Sequence, residues 1–238
     1  MPSRKVQTSA APARVPGLPA RERELRTQGK RTMAKLLDAG LDVLAERGYQ
    51  AARVDDIVRV AKLSHGTFYL YFANKEDLFR ALASECAADM EALAASLGPI
   101  DAGPAGEAEL RRWLTEFIGI YQRHGAVIRA WMEGQVADRS LVRVGVKAFH
   151  TVTTALLQRV REANPEHLAH KTIATTALLA MIERFAYFAS SRDLPFGDDA
   201  GAATLATVVH RGFFGAPHVA TPRRAAASRS TRTSRQSR

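Results

Sequence analysis

The chain has one cysteine, Cys86, in 238 residues. An intrachain disulfide is excluded, as is any zinc site built on paired cysteines, and a reducing compartment suits the chain. Long apolar runs are also scarce. The most apolar stretch, Thr172 to Ile182, runs into Glu183 and Arg184 and reads as too short to cross a bilayer. Arg4 and Lys5 have no apolar segment behind them, so no signal peptide is expected. These absences predict a cytoplasmic protein with no membrane partner. Catalytic signatures are missing too. No G-x-S-x-G, P-loop or H-E-x-x-H occurs, so an enzyme reading has no residues to rest on. His167 and His170 have an H-x-x-H spacing, but a metal needs further ligands that their neighbourhood does not supply. Neither a metal nor a cofactor is expected.

Charge is present but unevenly placed. Six basic residues against two acids in 1–26, and six arginines without an acid in 223–238, account for the whole net charge of +10. The body between them is neutral. A basic arm attracts phosphates without reading sequence, or it is simply a solvated tail. For the C-terminal tail both readings stand. Arg21, Arg23 and Arg26 lie just ahead of the first strong helical pattern and are expected to meet DNA.

Apolar residues recur at helical spacing almost throughout, and no stretch reads as a strand. The fold class is all-α. A first helix runs to Arg47, with Met33, Leu36, Leu37, Gly40, Leu41 and Leu44 as its buried stripe and Gly48 as its C′ residue. Val54, Ile57, Val58 and Ala61 mark a short second helix. Ser64 is a good N-cap for a third, whose Phe68 and Phe72 are apolar anchors. Asn74, with Asp77 three residues on, caps a fourth helix that runs to about Leu97. Two short helices at a tight turn suit a helix-turn-helix, whose second helix enters the DNA major groove.

The run Ser64-His65-Gly66-Thr67-Phe68-Tyr69-Leu70-Tyr71-Phe72, followed by Asn74-Lys75-Glu76-Asp77-Leu78, resembles the signature of the TetR family of bacterial transcriptional regulators. The likeness is strong over about residues 30 to 80. It implies an N-terminal three-helix helix-turn-helix domain and a C-terminal helical domain for ligand binding and dimerisation. Its DNA-contacting residues would be Arg53, Ser64, His65, Gly66, Thr67, Tyr69, Tyr71 and Lys75, with Arg26 from the arm. His65 is the candidate base reader. Gly66 would let the backbone approach. The Thr67, Tyr69 and Tyr71 hydroxyls and Lys75 would bond phosphates. Two positions depart from the family pattern. Arg53 stands where Ser or Thr usually caps the second helix, and Lys62 stands where the turn usually has Gly. A left-handed backbone at Lys62 would be strained.

Beyond Gly98-Pro99 the pattern predicts helices at about 107–123, 126–137, 139–163, 164–190 and 198–214, with a break at Gly125 and a start at Asn164-Pro165. The divisions are a disordered basic arm at 1–22, the helix-turn-helix domain at 23–73, the effector-binding and dimerisation domain at 74–216, and a disordered Arg-rich tail at 217–238. Trp113, Phe117, Tyr121, Trp131, Phe149, Met181 and Phe185 either pack the core or line an apolar effector cavity. Arg129, Glu133, Glu183 and Arg184 either fix a polar end of that ligand or face solvent. The last two helices are apolar over more than one face, which suits a buried partner surface. The resemblance implies a homodimer through them, with Leu178, Ile182, Phe185, Leu205 and Val209 at the interface. The expected function is a repressor that binds a palindromic double-stranded DNA operator as a dimer and is released by a small apolar or aromatic effector. An activator or a ligand-independent architectural protein is the alternative. An enzyme or scavenger ranks below both.

Overall fold

The computed structural model describes residues 27–163, 168–190 and 198–215, without the side chain of Asp198. The expected basic arm with Arg21, Arg23 and Arg26 lies outside the described residues. So do the Arg-rich tail, His167, the Asn164-Pro165 start signal and the Leu194–Gly197 loop.

Every element among the described residues is helical: α1 (Thr27–Ala51), α2 (Val54–Ala61), α3 (His65–Tyr71), α4 (Lys75–Ser96), α5 (Pro104–Met132), α6 (Arg139–Ala163), α7 (Lys171–Ser190) and α8 (Asp198–Phe213). Helix α1 breaks at Gly48, whose φ of 74° and ψ of 167° lie where a side chain would be strained. The expected stop at this glycine is therefore present as a kink. Helix α2 closes with Lys62 in the left-handed region at φ 54°, ψ 45°. Its amide and that of Leu63 bond back to Arg59 O and Val58 O, a Schellman closure. Lysine carries that conformation at a cost of about 1–2 kcal/mol relative to glycine.

Helix α5 is the axis of the molecule and packs against α1, α4, α7 and α8, while α4 also packs along α6. Trp113, Leu114, Phe117 and Tyr121 of α5 are buried, and their aromatic rings form a ladder with centroids 5.5 and 5.0 Å apart. The Trp113 indole N–H donates to Leu93 O of α4 at 2.9 Å. Truncating a buried tryptophan of this kind costs about 3–5 kcal/mol. Gly106 is fixed by space: a Cβ there would lie 2.1 Å from Asp101 O, so the loop before α5 could not close over it. Asp101 Oδ1 accepts the Gly103 and Gly106 amides at 2.7 and 3.2 Å, and Asp101 O accepts from His210 Nε2 of α8 at 2.8 Å.

Three expectations are corrected here. The first is the break at Gly125. Helix α5 runs through it, because Tyr121, His124, Val127 and Ile128 carry the buried stripe across it. One helical glycine costs only about 1 kcal/mol, less than that burial returns. It also starts earlier than expected, with Pro104 at its first turn after Gly103. The second is the start of the penultimate helix. Leu168–His170 are not helical, and α7 begins at Lys171. The third is its length: among the described residues α7 alone is long and apolar enough to cross a membrane by length and composition. It packs against α5 and α6 through Thr175, Leu178, Ile182 and Ala186.

Candidate nucleic-acid interface and effector cleft

Local capping builds the helix-turn-helix. Ser64 Oγ accepts the Thr67 amide at 3.1 Å and pairs with Thr67 Oγ1 at 2.9 Å, fixing the start of α3. Phe68 and Phe72 are fully buried and anchor its inner face. Asn74 Oδ1 accepts the Asp77 amide at 2.8 Å, and Asp77 Oδ2 accepts the Ala73 amide at 3.1 Å. This near-reciprocal pair sets the turn into α4. At α2, Asp56 is held by Arg47 and Arg59 at 3.1 and 2.9 Å. Arg53 is the N-cap of α2 and makes no side-chain capping bond, as its chemistry predicts.

Most of the expected DNA-contacting residues are exposed. Arg53, Ser64, His65 and Gly66 are exposed, Tyr69 is 57% exposed, and Thr67 and Tyr71 are half-buried. Gly66 stands out. A Cβ there would meet only Ser64 Oγ at 3.7 Å, an ordinary contact. Nothing inside the protein requires glycine at this helical position.

Two residues have partners that the pattern did not reveal. His65 Nε2 lies 2.6 Å from Asp55 Oδ1 of α2, and both side chains are largely exposed. The Lys75 ammonium donates to Tyr49 O and Gln50 O at 2.9 and 3.4 Å and stands 5.0 Å over the Tyr49 ring. That ring meets Phe79 edge-on at 4.6 Å. Lys75 thus ties the start of α4 to the end of α1. Its side chain is anchored at that junction rather than extended into solvent. Spacing alone could not reveal either partner, because both depend on how the helices cross.

The expected effector residues divide differently from the sequence reading. A cleft of about 900 Å³ opens between α1, α5 and α7, and of the seven aromatic and apolar candidates only Tyr121 lines it. Trp113 and Phe117 belong to the solid core. Trp131, near the end of α5, packs its ring on α6 at Gly145, where a Cβ would come within 2.7 Å of it. Phe149, Met181 and Phe185 are half-buried against the core. The unbroken course of α5 explains this, since it keeps the aromatic stripe turned into the bundle. By contrast, all four charged candidates, Arg129, Glu133, Glu183 and Arg184, line the cleft. Asp42, Glu46 and Tyr187, also on its wall, were missed; Asp42 and Glu46 read as ordinary polar-face residues of α1. The Tyr121 hydroxyl is buried beside the Glu183 carboxylate. Burial first, and then the nearby Glu183 carboxylate, push its pKa up, so it stays a neutral hydroxyl.

Of the five expected dimer residues, Phe185 is half-buried and the other four are buried. Leu178, Ile182, Leu205 and Val209 are at most 4% exposed within one protomer, because these faces of α7 and α8 pack on the protomer's own helices. What the two helices expose instead is Ile173 (68%), Phe188 (45%) and Val208 (53%), with Ala177, Ala180, Ala200 and Thr204 beside them.

A family model described as bacterial regulatory proteins, tetR family, matches residues 36–82. The chain is 43% identical over 51 residues to the fatty acid metabolism regulator protein of Bacillus subtilis, across 21% of this chain and 26% of that one. It therefore spans only about a quarter of that relative's length. The HTH-type transcriptional regulator EthR of Mycobacterium tuberculosis is 28% identical over 201 residues, 81% of this chain and 90% of EthR. Among solved structures, FadR from Bacillus subtilis in complex with stearoyl-CoA superposes with a TM-score of 0.55 at 17% identity, covering 75% of this chain and 98% of that one. The likeness to FadR is one of fold.

Proposed function

The chain belongs to the TetR family of bacterial helix-turn-helix transcriptional regulators, and from that premise we propose that it is a repressor that binds a palindromic operator as a homodimer. The start of α3 carries the reading. His65, Gly66 and Tyr69 face solvent on a helix whose opposite face is anchored by Phe68 and Phe72. Gly66, free of any internal need, supports close approach of this turn to a groove. His65 reads a base edge once it leaves Asp55 or turns its other ring nitrogen outward. Arg53, Ser64, Thr67, Tyr69 and Tyr71 position the helix on phosphates, with Arg26 reaching from the arm. Lys75 contributes the one N–H that its two carbonyl bonds leave over.

Dimerisation uses the exposed faces of α7 and α8 around Ile173, Ala177, Ala180, Phe188 and Val208. Exposed apolar surface of this kind favours a self-complementary two-fold contact. A ligand in the cleft releases the operator by favouring a conformer whose recognition helices are misspaced. The mostly polar lining supports a polar ligand over the apolar or aromatic one that the sequence suggested, and over a long acyl chain such as that of the stearoyl-CoA in FadR. The site of action is the cytoplasm, with the DNA. Selection of genomic fragments by the purified chain tests this reading. It predicts enrichment of a palindrome bound by two chains per site. Enrichment of a non-repeated site, or binding by a monomer, contradicts it.

A further inference from the structure

Helix α3 turns an apolar side chain outward. Phe68 and Phe72 are 0% exposed and define its inner face. At about 3.6 residues per turn, Leu70 lies about 160° around the helix from both of them. It is 54% exposed. A single exposed leucine is ordinary on a protein surface, so the exposure alone decides nothing. Its place on the helix does. Gly66 stands one turn before it on the same face, and a Cβ on Gly66 would meet Ser64 Oγ at 3.7 Å and no atom of Leu70. The isobutyl group therefore does not fold back over the glycine. Tyr69 and Tyr71 flank Leu70 in the chain, and each carries a phenol suited to a phosphate. The outward line of α3 thus has a gap at Gly66 and then an apolar group at Leu70, set between two residues that can hold the DNA backbone.

We propose that Leu70 selects a thymine in each half-site by packing on its C5-methyl group in the major groove. This rests on the regulator reading above, in which α3 enters that groove. Of the four bases only thymine presents a methyl group on its major-groove edge; the others present hydrogen-bond acceptors or amino donors there. Leucine has no side-chain atom that can bond either kind. Over adenine, guanine or cytosine it strips water from a polar edge and returns no hydrogen bond. Over thymine it buries a methyl group against its own. The choice is therefore made by attraction to one base and by desolvation of the other three. One buried methyl group contributes about fourfold in affinity. The missing side chain at Gly66 brings the helix close enough for a residue as short as leucine to reach the edge. Leu70 lies about 7.5 Å further along the helix axis than His65, so the two residues address different base pairs.

The test replaces each thymine of a selected operator in turn by deoxyuridine, which removes the methyl group and keeps every hydrogen-bonding atom. Fluorescence anisotropy is read with the full wild-type chain and with full-length Leu70→Ala. The expected result for wild type is a loss of about fourfold at one thymine in each half-site. At that thymine Leu70→Ala should bind the two operators equally. Leu70→Ala should keep its circular dichroism spectrum and melting temperature, because the side chain it shortens is largely exposed. Wild-type indifference to deoxyuridine at every position, or a deoxyuridine effect of the same size in Leu70→Ala, overturns the proposal and leaves the regulator reading standing. Failure of the wild-type chain to select any DNA overturns the regulator reading, and the role of Leu70 with it.

Discussion

Gly66→Ala separates what the fold needs from what DNA needs. Gly66 is the second residue of α3. Alanine there reduces the freedom of the unfolded chain and suits the helix, a gain of about 0.5–1 kcal/mol. Its new Cβ meets Ser64 Oγ at 3.7 Å and nothing closer, so no strain offsets the gain. For a chain of this size about 1 kcal/mol corresponds to a rise of about 2–4 °C in melting temperature. Against DNA the sign reverses. The methyl group enters the space through which the backbone approaches the groove. A loss of at least about tenfold in operator affinity, or about 1.4 kcal/mol, is expected. Thermal melting and fluorescence anisotropy on a selected operator give the two numbers. A less stable variant would mean that the glycine serves the fold. A stabler variant with unchanged operator affinity would mean that this turn does not face the groove.

Three further outcomes follow from particular contacts. Asp55→Asn removes a carboxylate beside the proposed phosphate path and loosens its hold on His65, so operator affinity should rise with little change in stability; weaker binding in anisotropy would show that Asp55 positions His65 productively. Ile173→Glu or Val208→Glu should dissociate the dimer in sedimentation while helicity is kept, whereas Val209→Glu places a charge in the protomer's own core and should lower the melting temperature instead. The Cys86 thiol, pushed up to about 12 by burial and secondarily by Asp89, is protonated at pH 8, so a thiol reagent should label it only after unfolding; rapid labelling of the folded chain would contradict its burial.

The helix-turn-helix was legible from the sequence because its determinants are local. Ser64 and Asn74 cap through atoms three residues away, and Phe68 and Phe72 announce the inner face by spacing alone. Distant contacts were not legible. Lys75 reads as a surface cation until its carbonyl partners 25 and 26 residues earlier are known. Apolar periodicity marked Leu178, Ile182, Leu205 and Val209 as buried, yet it could not say whether by the protomer or by a second chain. The aromatic residues posed the same problem. Trp113 and Phe117 look alike as core or pocket until the course of α5 through Gly125 is fixed. The cleft escaped notice because its walls are charged residues on four-residue spacings, the ordinary signature of a solvated helix face.

Base reading by the exposed start of α3 is what the regulator function depends on. The most direct measurement is the affinity of wild type and His65→Ala across every single-base variant of a selected operator. His65→Ala should flatten the preference at one position in each half-site, by about 1–3 kcal/mol, and leave the other positions ranked as before. Tyr69→Phe should weaken all variants alike, because phosphates carry no base identity. A His65→Ala profile that keeps every preference, with or without a uniform loss of affinity, contradicts the claim.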